Sequence, residues 1–223
     1  MSLLKHNYQK ILAEIEQAAT EAGRDPGAIK LIAVTKVATL EQLLEASALG
    51  ITDFGANRVQ DAAEQVKNLP GARWHFIGHL QTNKVKDVLP VYTLIHTLDR
   101  FSLAKQLQQV AERFDCTAET MIQVNVSGEE SKFGLAPGEL PGFIEQLDMF
   151  DRINVQGLMT MAPYVEDPEE ARPYFRRLKL LRDENAVEGI ELPELSMGMT
   201  NDFKVAIEEG ATMVRIGSAL FAE

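Results

Sequence analysis

Apolar positions recur along this chain in two alternating rhythms. From Leu4 to about Ala22, Ile11, Ile15 and Ala18 fall on one side with charges between them, the spacing of an amphipathic helix. Glu21-Ala-Gly-Arg-Asp-Pro-Gly stops that helix with two glycines and a proline. Ile29-Lys-Leu-Ile-Ala-Val-Thr-Lys36 is then a short apolar run with a polar end. Thr39-Leu-Glu-Gln-Leu-Leu-Glu-Ala-Ser-Ala-Leu follows it, a capping threonine before helical spacing.

The same alternation repeats down the chain. Besides Ile29 to Thr35, the pattern predicts strands at Ile51 to Gly55, Arg73 to Gly78, Thr93 to Leu98 and Glu119 to Val126. Three more follow at Ile153 to Met161, Glu194 to Gly198 and Thr212 to Gly217. Between them it predicts helices at Val59 to Leu69, Thr82 to Leu89, Phe101 to Phe114, Glu139 to Phe150, Glu169 to Asn185 and Asn201 to Glu209. Strands apolar on both faces and alternating with helices build a parallel sheet covered on both sides. About eight such units predict a closed (β/α)8 TIM barrel with an extra N-terminal helix. A doubly wound open sheet is the alternative, but it usually carries a glycine-rich turn after its first strand. Here the first strand ends in Thr35-Lys36-Val37. No linker of biased composition interrupts residues 1–223, which are expected to form one domain.

Composition narrows the function. Lys plus Arg is 22 and Asp plus Glu is 33, a net charge of −11. Such a surface opposes non-specific nucleic-acid binding and recruitment to anionic membranes, both of which need cationic side chains. A single cysteine, Cys116, permits no intrachain disulfide and no cysteine-based zinc cluster. The N-terminus lacks an apolar signal core, and no apolar run approaches the ~20 residues of a membrane span. The expectation is a cytoplasmic protein that binds neither nucleic acid nor membrane.

In such barrels the chemistry sits at the carboxyl ends of the strands. Lys36 ends the first strand; its amine either snorkels into water or serves as a nucleophile toward an aldehyde. Asn57, after the second strand, either supports a ligand ring or caps a helix. Ser196-Met-Gly-Met-Thr-Asn-Asp ends the seventh strand as a helix begins, where amides favour an anion and the Ser196 and Thr200 hydroxyls add donors. The alternative there is a plain cap by Thr200. Val214-Arg-Ile-Gly-Ser218 brings Gly217, whose backbone can approach a ligand, and Ser218. Arg215 contacts a phosphate, donates to a ring nitrogen, or pairs inside the barrel. His75, His79 and His96 read as too scattered for a metal site. Trp74 and the methionines Met159, Met161, Met197 and Met199 read as packing residues. Cys116 has no base beside it in sequence.

Six segments carry a resemblance: Ala33-Val-Thr-Lys36, Phe54-Gly-Ala-Asn-Arg-Val-Gln60, Trp74-His-Phe-Ile-Gly-His-Leu-Gln-Thr-Asn-Lys84, Gly157-Leu-Met159, Leu195-Ser-Met-Gly-Met-Thr-Asn-Asp202 and Arg215-Ile-Gly-Ser-Ala-Leu-Phe221. Together they resemble the pyridoxal phosphate homeostasis protein family, which is similar to the N-terminal barrel of alanine racemase. The resemblance implies pyridoxal 5′-phosphate (PLP) held as a Schiff base on Lys36. It implies phosphate contacts from Ser196, Thr200 and the backbone of Gly217 and Ser218. Arg215 is implied to face the pyridine nitrogen, with Asn57 nearby. The family usually has an acidic residue where Ala56 stands.

Alanine racemase has a second, β-rich domain that supplies a tyrosine base, and little chain follows the last predicted strand here. The expectation is therefore a monomeric, non-enzymatic PLP-binding protein that holds or delivers PLP, with apo-PLP enzymes as recipients. A PLP-dependent amino-acid racemase is the alternative, and a phosphosugar aldolase using Lys36 without PLP is the third reading.

Overall fold

The structure, a computed structural model, describes residues 2–63, 65–129, 131–186 and 191–222. Helix α1 (Leu3–Glu21) starts at Ser2, whose hydroxyl accepts from the Lys5 amide. The strands are β1 (Lys30–Val34), β2 (Asp53–Ala56), β3 (Arg73–Phe76), β4 (Leu94–Leu98), β5 (Ala118–Gln123), β6 (Ile153–Met159), β7 (Glu194–Ser196) and β8 (Met213–Ile216). They pair in sequence order and close into a barrel, β8 returning to β1 through the register Lys30↔Met213 to Ala33↔Ile216. Every pairing is parallel, so each crossover carries helical structure back across the outside. These crossovers contain α2 (Leu40–Ala48), α3 (Val59–Ala63), α4 (Val85–Val88), α5 (Phe101–Phe114), α6 (Leu140–Leu147), α7 (Arg172–Asn185) and α8 (Phe203–Glu208), and α9 (Ser218–Phe221) follows β8.

Period-two alternation sorts the strand residues into two cores. Ile32, Leu94, Met121, Met159 and Met213 pack together inside the barrel. Phe54, Trp74, Phe76, Ile122, Leu158 and Val214 face the helices in the larger core. Burying one such aliphatic or aromatic side chain contributes about 1.5–3 kcal/mol. Trp74 stacks at a tilt on Phe54, ring centroids 5.5 Å apart. Helix α1 packs on α2, α8 and α9, tied to the chain's far end by the Asn7 side chain donating to the Leu220 carbonyl at 3.3 Å.

The expected elements all occur, most with ends shifted by one to a few residues. The capping threonine is real: Thr39 Oγ1 accepts from the Gln42 amide at 3.2 Å, and Gln42 Oε1 accepts from the Thr39 amide at 2.9 Å. The predicted helix from Val59 to Leu69 is helical only to Ala63 and then continues as turns toward Pro70; Glu64 lies outside the described residues. Thr82 to Leu89 divides into a 3-10 turn, Thr82–Lys84, and α4. The short helix α9 was not expected from the pattern. Among the described residues no helix is long and apolar enough to cross a membrane.

Candidate functional site

The carboxyl ends of the strands open onto a cavity of about 490 Å³, a size suited to a small-molecule ligand. Its walls are Val34 of β1, Pro163, Tyr164 and Val165 after β6, Met199, Thr200, Asn201 and Asp202 after β7, and Arg215, Gly217 and Ser218 of β8 and the turn into α9. A larger cavity, about 570 Å³, lies at the opposite end of β6 among Ile144, Leu147, Ile153 and Val155. It is far from the strand carboxyl ends, and its polar lining is Asp148, Asn154 and Glu191, with no cationic side chain among the lining residues.

Arg215 forms the floor of the first cavity. Inward parity on β8 buries it, and it donates from Nη1 to Ser196 Oγ at 2.6 Å and from Nη2 to the Thr160 carbonyl at 2.8 Å. Burial pulls its pKa down to about 10 against the opposing pull of Asp202, so it is a cation at neutral pH. Asp202, itself buried, accepts from the Met199 amide at 2.6 Å. Burial raises its pKa, opposed by that amide and by the charge of Arg215.

Two hydroxyls meet at one edge of the cavity. Ser218 Oγ donates to Thr200 Oγ1 at 3.2 Å, and the Ala219 amide donates to the same oxygen at 3.5 Å. Thr200 therefore acts as acceptor in both contacts, and its own O–H hydrogen, with no acceptor among the described residues, can point at a ligand. Beside them Gly217 lies against β1. A Cβ there would sit 3.2 Å from both the Val34 Cβ and the Val34 carbonyl oxygen, so the missing side chain lets this backbone pack closely on β1 beside the cavity.

The candidate residues do not all converge. Thr200, Arg215, Gly217 and Ser218 line one cavity. Lys36 sits in the 3-10 turn Thr35–Val37, two residues beyond Val34, exposed and without an ion-pair partner among the described residues. Lys132, by contrast, is tied to Glu129 at 3.0 Å. Asn57 is exposed on the rim after β2, its backbone carbonyl packed where a Gly78 side chain would be. Ser196 departs from the phosphate role expected of it. It is fully buried below the cavity, and its hydroxyl is engaged by Arg215 and by His96 Nδ1 at 2.9 Å. Inward parity on β7 points it into the barrel rather than toward the loops. Ala56 packs in the outer core, facing the helices, and is not among the residues that line the cavity.

Of His75, His79 and His96, two meet, though among the described residues not in a metal site. His75 and His96 lie ring to ring inside the barrel, with His75 Nδ1 2.9 Å from His96 Nε2 and His75 Nε2 2.9 Å from Asp53 Oδ1. A period-two count would have found them: His75 stands between the outward-facing Trp74 and Phe76, and His96 one strand over, next to the outward-facing Ile95. Among the described residues no group of three or more His, Cys, Asp or Glu could hold a metal ion. His79 lies elsewhere, on the rim, stacked on Phe133 at 3.8 Å between ring centroids.

Residues 3–223 match the family model described as alanine racemase, N-terminal domain. The "pyridoxal phosphate homeostasis protein" of Aquifex aeolicus is 45% identical over 96% of this chain and 95% of its own. The protein of the same name from Pseudomonas aeruginosa is 39% identical over 99% of this chain and 96% of its own. Among solved structures, PipY of Synechococcus elongatus with PLP bound is 31% identical, with a TM-score of 0.79 over 94% of this chain and 100% of its own.

Proposed function

The chain belongs to the pyridoxal phosphate homeostasis protein family, built on the alanine racemase N-terminal domain, and we propose that it binds PLP in the cavity above Arg215 and serves PLP homeostasis. The observation that carries this reading is a single cavity pairing a buried cationic donor with a hydroxyl edge beside Gly217. PLP supplies a phosphate, a pyridine nitrogen and an aldehyde with which a primary amine condenses.

Each part has a matching group. Thr200, Ser218 and the open backbone at Gly217 suit the phosphate. Arg215 suits the pyridine nitrogen: guanidinium N–H groups have no lone pair to accept with and keep their protons at neutral pH. Lys36 is the amine offered to the aldehyde, at the rim two residues past the cavity wall and without an ion-pair partner among the described residues. Asn57 stands on the same rim. Ser196 acts one layer below, through Arg215.

The proposed role is holding and delivering PLP, with apo-PLP enzymes as recipients, rather than turnover of amino acids. An arginine that keeps its proton leaves the pyridine nitrogen unprotonated, and such a ring stabilises carbanions poorly. A racemase also needs a second positioned acid–base group. Tyr164 lines the cavity but is 87% exposed, and no described residue hydrogen-bonds its hydroxyl to hold it in place. The test is a visible absorption titration with PLP, followed by borohydride reduction and peptide mapping. Label on Lys36 is expected. Label on Lys84 or Lys132 with Lys36 free refutes the assignment.

A further inference from the structure

Below the cavity, four strands bring a carboxylate, two imidazoles and a hydroxyl into one continuous line. Asp53 of β2 is gripped by Arg73, which donates from Nε to Oδ1 at 2.9 Å and from Nη2 to Oδ2 at 2.6 Å. Thr52 Oγ1 donates to Oδ2 at 2.8 Å. Burial works to raise the Asp53 pKa, but the hydrogen bonds from His75, Arg73 and Thr52 outweigh it and hold the carboxyl below its usual range. Asp53 is therefore an acceptor only.

The direction of every following bond is then set by counting hydrogens. His75 Nε2, 2.9 Å from Asp53 Oδ1, carries a hydrogen and donates it. His96 is wholly buried, and that burial first, with the charge of Arg215 beside it, holds its pKa well below 6.5, so the ring is neutral. If His96 donates from Nε2 to His75 Nδ1, its own Nδ1 is bare, and Ser196 gives it the hydroxyl hydrogen at 2.9 Å. The Ser196 oxygen then accepts from Arg215 Nη1 at 2.6 Å. Every donor meets one acceptor. In the reverse order His75 would be an imidazolium and His96 would donate from Nδ1. Ser196 would then accept from both His96 and Arg215, leaving its hydrogen without a described acceptor in a fully buried position. Such an orphaned donor is costly.

We propose that Asp53, His75, His96 and Ser196 are positioning residues that hold the Arg215 guanidinium through a one-way line of hydrogen bonds running down the barrel axis. The line starts at the opposite mouth of the barrel. There Asp53, Arg73 and His75 line a cavity of about 220 Å³ together with Lys30, Glu119 and Glu194. It ends on the floor of the cavity at the strand carboxyl ends. Changes at the far mouth are thus read at Arg215. The line exists whatever binds above it; its effect on PLP rests on the function proposed above.

Nitrogen-15 NMR of histidine-labelled, PLP-free protein at neutral pH tests the line without any variant. His75 and His96 are both expected to be neutral with the hydrogen on Nε2. A hydrogen on His96 Nδ1, or a charged His96, overturns the proposal. The second arm reads the cofactor. Asp53→Leu removes the last acceptor and is expected to shift the visible band of bound PLP and weaken its binding about tenfold, the scale of one lost hydrogen bond to a charged group. Asp53→Asn keeps an acceptor oxygen for His75 and is expected to restore the wild-type band. A folded Asp53→Leu protein with wild-type tautomers and a wild-type band also overturns it. If wild-type protein binds no PLP, the function above fails, and the tautomers still decide the line.

Discussion

Removing the two cavity-edge hydroxyls, one at a time and together, gives an unequal pattern that follows from their hydrogen-bond roles. Thr200 Oγ1 accepts from Ser218 Oγ and from the Ala219 amide, so its own hydrogen is the one already free for a phosphate oxygen. Ser218 has to abandon Thr200 before it can donate to a ligand. A hydrogen bond to a charged partner is worth about 1.5–3 kcal/mol. Thr200 is only partly exposed whereas Ser218 is exposed, so both belong at the low end of that range, and Ser218 below it. Thr200→Val keeps the shape and is expected to weaken PLP binding about tenfold, the equivalent of ~1.4 kcal/mol. Ser218→Ala is expected to cost about threefold. The double variant should exceed the product, because in Thr200→Val the freed Ser218 donates without first leaving Thr200 and recovers part of the loss. The assay is a fluorescence or absorption titration run in parallel with PLP and with pyridoxal, which lacks the phosphate. Pyridoxal affinity should stay constant across the series. A double variant that keeps the full wild-type preference for PLP over pyridoxal would place the phosphate elsewhere and refute the reasoning.

Gly157→Ala should be strongly destabilising, by about 3 kcal/mol or more on a urea unfolding curve, because the new Cβ would lie 1.9 Å from the Glu194 carbonyl oxygen in the β6–β7 pairing; a midpoint close to wild type contradicts this packing. Asp53 has a folded pKa below its ordinary 3.8, so its contribution to stability is complete above that value and is lost as pH falls below it. Acid unfolding of Asp53→Asn should accordingly show a flatter pH dependence below about pH 4, and an unchanged slope would mean that Asp53 is not the carboxylate involved. Purified protein with PLP should show no steady racemase, decarboxylase or transaminase turnover; a rate of about 1 s⁻¹ that disappears in Lys36→Ala would establish an enzyme instead.

The barrel was legible in the sequence because its signal is local. Each strand is a short apolar run and each crossover a helical spacing, so eight repeats of one unit announce both elements and topology. Thr39 with Gln42 and the glycine–proline stop after Glu21 fix ends through bonds within a few residues. Element ends that depend on neighbours were less legible: the run to Leu69 is apolar at helical spacing, yet the chain takes it in turns before Pro70.

The site divides the same way. Thr200, Arg215, Gly217 and Ser218 could be marked as candidates from strand-end chemistry alone, since the carboxyl end of a barrel strand is where polar residues have a ligand to meet. Which way a side chain points at that end is decided by register. Ser196 and Thr200 lie in one motif, but inward parity on β7 buries the first under Arg215, and the loop brings the second to the cavity edge. The line from Asp53 through His75 and His96 to Ser196 joins residues on four strands, separated by as many as 100 positions between His96 and Ser196. Alternation marks His75 and His96 as inward-facing, but no spacing rule connects the four residues to one another. Only closing the sheet sets their side chains at hydrogen-bond distance, and only burial inside it makes their protonation and direction definite.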